Sequence, residues 1–125
     1  MRLIPLLVLL ALLTACGAPR PAWVQTDLYL GLGRGDGGEV QPAEFQAFLD
    51  EEVTPRFPDG LTVLEARGQW RSRGSLVREP ARVLVVVHPP GPEADAAIEA
   101  IRADYRRRFA QESVLRVDSA VQASF

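Results

Sequence analysis

The spacing of apolar residues changes several times along the chain, and each change predicts an element. From Leu3 to Leu13 the run is apolar without a break. From Trp23 apolar and polar residues alternate. Val24, Thr26, Leu28 and Leu30 take one face of a predicted strand, and Gln25, Asp27 and Tyr29 the other. At Pro42 the period becomes helical. Phe45, Phe48, Leu49 and Val53 fall on one stripe, Pro42 suits the first helical position, and Pro55 ends the segment. Alternation returns from Thr62. Thr62, Leu64, Ala66, Gly68 and Trp70 form the predicted core face of a second strand, and Glu65, Arg67, Gln69 and Arg71 share the other face with Val63. Residues 83–87 are apolar on both faces, as in a central strand. A second helix follows, with Ala94, Ile98, Ile101, Tyr105 and Phe109 on one stripe. Three arginines, 106 to 108, stand near its C-terminus, where cations suit the helix dipole. Residues 113–125 close with one strand or a bent pair.

This order, β-α-β-β-α-β, predicts an α+β ferredoxin-like fold, an antiparallel sheet with two helices on one face. Strands one and three are then central, and the polar second strand lies at an edge. With 125 residues the chain can bury one such core. The expected organisation is a leader over 1–15, a Pro-rich tether over 16–22 and one domain over 23–125.

The first apolar run is too short to span a membrane, which takes about 20 residues, and fits a signal-peptide core behind Arg2. "LTAC", residues 13–16, resembles the bacterial lipobox. That resemblance implies a diacylglyceryl group on Cys16, cleavage before it and often a further amide-linked acyl chain such as palmitate. The expected address is therefore the cell envelope, lipid-anchored and facing the periplasm. Gly17 favours the outer membrane in a Gram-negative cell. Cys16 is the only cysteine, so its lipidation leaves no thiol for a disulfide, a nucleophile or a metal site.

Composition narrows the chemistry. A net charge of -2 gives no nucleic-acid footprint. All 14 basic residues are arginine. "GLGRGDGG" holds Gly33-x-Gly35-x-x-Gly38, but no helix can start before Pro42, so the expected role is a turn rather than a dinucleotide loop. The lone His88 reads as a strand-end residue. No cofactor, metal-ligand set or nucleophile–base motif is visible.

The candidate face is a shallow polar site on the uncovered side of the sheet. Arg67, Gln69 and Arg71 would line it from strand two, and Gln25, Asp27 and Tyr29 from strand one, with arginines able to fork to a carboxylate or phosphate. Further candidates are Arg56, Glu79, Gln111 and Glu112. "TDLYLG", "TPRFPDG", "GQWR", "RE", "YRRRFAQESVLRV" and "ASF" together resemble domain-of-unknown-function family 3574, small bacterial exported proteins that often carry lipoboxes. The resemblance covers about residues 23 to 125 and implies an address and a fold but no activity. That family has a cysteine near the C-terminus where this chain has Val121-Gln122-Ala123.

Three readings stand. The first is a binding or accessory lipoprotein, using the open sheet face or a homodimer built through it, with an envelope protein or a small anion as partner. The second is a small enzyme with a polar site at a sheet-to-sheet dimer. The third is a structural envelope protein. Charged residues on the sheet also have a plain explanation as cross-strand pairs.

Overall fold

The computed structural model describes residues 22–125. The leader, Cys16 and all but the last residue of the tether lie outside them. The elements are β1 (Trp23–Gly31), α1 (Pro42–Phe48) with a π-helical turn (Leu49–Val53), β2 (Thr62–Ser72), β3 (Ser75–His88), α2 (Pro92–Phe109) and β4 (Leu115–Val121). The sheet order is β2-β3-β1-β4, and every pair is antiparallel. This is the predicted ferredoxin-like arrangement, with β1 and β3 central and β2 at an edge.

Local chemistry fixes both helices. The Glu44 carboxylate accepts the Gln41 N–H, closing the first turn of α1 behind Pro42. At its end the Thr54 N–H reaches back five residues to the Leu49 carbonyl, which makes the last turn a π-turn. α2 ends at Ala110, in the left-handed region at φ +51°. Arg108 from its last turn pairs with Glu51 of the π-turn at 2.7 Å.

One face of the sheet carries the core. Leu28, Leu30, Leu84 and Val86 lie under Phe45, Phe48, Ile98, Ile101, Tyr105 and Phe109. Phe48 is fully buried and meets Phe45, Tyr105 and Phe109 with ring centroids 5.1 to 6.3 Å apart. These are edge-on or tilted contacts, the geometry aromatic quadrupoles favour.

Residues 33–39 form the expected turn. Gly33 bridges Glu39, the Arg34 N–H reaches the Gly38 carbonyl at 2.7 Å, and Gly37 sits at φ +91°, a conformation only glycine adopts cheaply. Arg34 does more than turn the chain. Its guanidinium pairs with Glu44 at 2.6 Å and lies 5.6 Å from the Phe109 ring centroid, tying the turn to both helices.

Candidate functional site

The ladder register decides which side chains share a face, because directly opposed residues project to the same side. Leu84 of the core opposes Leu28 on one flank and Val63 on the other. The helix-covered side of β2 is therefore Val63, Glu65, Arg67, Gln69 and Arg71. The uncovered side is Thr62, Leu64, Ala66, Gly68 and Trp70. The assignment of β2 faces from its sequence is reversed. Trp70, expected in the core, is 44% exposed on the open side. Arg67, Gln69 and Arg71 oppose Pro80, Arg78 and Leu76 on the helix side, whereas Tyr29 and Asp27 oppose Val83 and Val85 on the open side. These five residues do not form one site. Val63 sets the phase, since it packs against the core cluster and its neighbours must alternate from it.

The open side is nearly uncharged. Leu64, Val83, Tyr29 and Leu115 oppose one another in turn, so one apolar row crosses all four strands. The next row is Thr62, Val85, Asp27 and Val117. Leu64 and Leu115 are about half-exposed, at 51% and 59%. The charged side chains on this face of the four strands are Asp27, whose Oδ1 accepts the Gln25 Nε2–H, and Glu79, whose carboxylate accepts the Gly33 N–H at 2.7 Å. An antiparallel sheet covered on one side normally turns its polar residues to the other. Here the uncovered side is largely apolar as well.

Glu79 and Gln111, separate candidates in the sequence, meet at the end of β1. Past Tyr29, β4 no longer pairs with β1, and three side chains take over. Tyr105 Oη donates to the Gly31 carbonyl at 2.6 Å, Gln111 Nε2 donates to the Gly33 carbonyl at 2.6 Å, and Glu79 accepts the Gly33 N–H. A Cβ on Gly31 or Gly33 would meet the Glu79 carboxylate, the movable end of a flexible side chain, which would have to swing aside. Burial pushes the Tyr105 phenol up, and Glu79 adds to it. Burial also raises the Glu79 carboxyl above the usual carboxylate range, against the Gly33 N–H, which lowers it.

A raised folded-state pKa stabilises fully below the unfolded value and is lost as pH rises through the folded one. Glu79→Gln stays neutral and keeps an acceptor oxygen for Gly33. It should match the wild type near pH 4 and exceed it in stability near pH 7. Urea melts at the two pH values check this, and a variant weaker than wild type at neutral pH contradicts it.

Arg56 bridges Glu52 at 2.9 Å and Asp104 at 3.4 Å, holding the end of the π-turn to α2. Glu112 is exposed in the loop before β4.

Sequence reasoning assigned nothing to the line of groups beside the start of β1. Thr26 Oγ1 donates to Asp118 Oδ1 at 2.6 Å and so accepts from His88 Nε2 at 2.8 Å. His88 Nδ1 faces the Pro89 carbonyl at 2.8 Å, which can only accept. Asp118 is penalised by burial, but the Thr26 hydroxyl and Arg116 outweigh this and lower its pKa. Arg116 also binds Asp95 and Glu99, and despite its own burial these carboxylates hold its pKa up. Thr26 and His88 are both closed to solvent, so the line reads as a strand clamp rather than a reaction centre. The signal in sequence was slight: a polar Thr26 on the core face of an otherwise apolar strand.

Among the described residues no group of three or more His, Cys, Asp or Glu could hold a metal ion, and no helix is long and apolar enough to cross a membrane.

The order β2-β3-β1-β4, with both helices on one face, defines a ferredoxin-like α+β domain, and solved structures share it. A phage SAM lyase in complex with S-methyl-5'-thioadenosine matches with a TM-score of 0.65 at 17% identity, over 81% of this chain and 82% of that one. The apo state of phage SAM lyase gives 0.63 at 17%, over 83% and 85%. CutA from Synechococcus elongatus gives 0.55 at 10%, over 83% and 80%. At these identities the likeness extends to the fold alone. No curated protein matches the sequence. The chain belongs to the family described as "Protein of unknown function (DUF3574)", which matches residues 25–125.

Proposed function

We propose that this protein is a binding and accessory module of the cell envelope, anchored through a lipidated Cys16, and that it works as a pair of copies joined through their open sheet faces. The observation that carries the pairing is the apolar row Leu64–Val83–Tyr29–Leu115 on the side no helix covers. A two-fold pair uses the same patch twice, so the patch must be compatible with itself. The row itself is uncharged, and the two carboxylates of the face, Asp27 and Glu79, each accept a hydrogen bond within the chain. Size supports the same occupant. Four strands about 4.8 Å apart and the nine residues of β1 at about 3.4 Å each outline a face on the order of 500 Å² in projection. With side-chain relief, that approaches the roughly 800 Å² per partner of a standard interface. An anchor in a shared membrane also raises the effective concentration of one copy for another.

Tyr29 lies mid-face and is 42% exposed. Replacing it with photoreactive benzoylphenylalanine and irradiating intact cells should give a covalent species of twice the chain's mass, containing this sequence alone. Cross-links only to a different protein, or none, contradict self-pairing. The anchor is tested separately. Cys16→Ser should yield an unprocessed or soluble form on fractionation. A variant still cut before residue 16 and held at the membrane like wild type contradicts lipidation.

A further inference from the structure

The β2–β3 hairpin has a second surface, opposite the one assigned to pairing. The hairpin carries five arginines, Arg67, Arg71, Arg73, Arg78 and Arg82, against two glutamates, Glu65 and Glu79, in a chain whose net charge is -2. Glu79 also accepts the Gly33 N–H. The hairpin leaves an open trough of about 850 Å³, where Arg67, Arg78 and Arg82 stand with Gln69 and two carboxylates, Glu65 and Glu79.

The three trough arginines are weakly committed. Arg82 donates from Nη1 to the Ala81 carbonyl at 3.0 Å and reaches Glu65, whose side chain is 88% exposed, only at 3.5 Å. Arg78 gives its Nε–H to Gln69 Oε1 at 3.0 Å, which leaves both terminal nitrogens without a partner among the described residues. Arg67 is exposed and has no hydrogen-bond or ionic partner among the described residues. Arg67 opposes Pro80 and Arg78 opposes Gln69, so the two arginines are diagonal neighbours on one face, with Cα atoms about 7 to 8 Å apart. Like charges at that spacing repel unless an anion lies between them. Guanidinium forks are built for bidentate contact with oxyanions.

We propose that this trough binds a phosphate group. Three guanidiniums against the Glu65 and Glu79 carboxylates leave one net positive charge there, and the neighbouring forks of Arg67 and Arg78 suit the several oxygens of one phosphate group. The phosphate has two possible sources, a soluble phosphorylated compound or the headgroup of an anionic lipid in the membrane on which the protein is expected to sit. The three arginines project to the helix side, away from the pairing row, so the site stands whether or not the copies pair.

The test is calorimetric titration of the full chain in a neutral detergent, first with inorganic phosphate and then with micelles doped with phosphatidylglycerol. Saturable binding of at least one probe is expected, and the probe that binds identifies the source. Arg67→Gln combined with Arg78→Gln should weaken that binding about tenfold or more and leave the melting temperature and circular dichroism unchanged. Arg106→Gln, an exposed arginine on α2 outside the trough, should bind like wild type. Binding of neither probe overturns the site. So does a smaller loss in the double variant, or an equal loss in Arg106→Gln.

Discussion

Phe48→Ala is expected to cost about 3 to 5 kcal/mol of stability. The ring is fully buried and fills the space between α1, α2 and the sheet. Truncation removes its burial from water and leaves a hole, and the neighbours cannot close that hole without disturbing one another. Phe45, Tyr105 and Phe109 all touch Phe48, and Tyr105 is also fixed by its bond to the Gly31 carbonyl. The cavity should persist, and the loss should sit at the larger end of core truncations. Urea denaturation measures it through the transition midpoint at constant slope. A loss under about 1 kcal/mol would mean that α1 is not packed on α2 as described.

Much of the fold was legible because period and burial agreed. In β1, Thr26, Leu28 and Leu30 face the helices as their alternation predicts, and Phe45, Phe48, Leu49 and Val53 are buried as their helical spacing predicts. β2 misled for a physical reason. Alternation shows that two faces differ, and it takes packing to show which one is inside. Leu64 and Trp70 made the open face the more apolar of the two, so hydrophobicity chose the wrong side, while the single residue Val63 carried the true phase. The same inversion separated Arg67, Gln69 and Arg71 from Tyr29 and Asp27. The meeting of Glu79 with Gln111 depends on where β4 stops pairing with β1, a tertiary event with no local signal. Gly31 and Gly33 read as turn residues, and the structure adds the Glu79 carboxylate lying over both.

The inversion that defeated the sequence reading is also the basis of the functional proposal. If the apolar face is apolar because a second copy covers it, charge at the two ends of its row should abolish the pair. Leu64 and Leu115 lie on the two edge strands and are half-exposed in the single chain, so glutamate there costs the fold little. In a pair each would be buried without a counter-ion, a penalty of several kcal/mol per charge that would dissociate most ordinary interfaces. Sedimentation equilibrium of the wild type beside Leu64→Glu/Leu115→Glu reads this directly. The predicted result is twice the chain mass for the wild type and the single mass for the variant, with closely similar circular dichroism. A single mass for both proteins, or a double mass for both, would contradict pairing through this face.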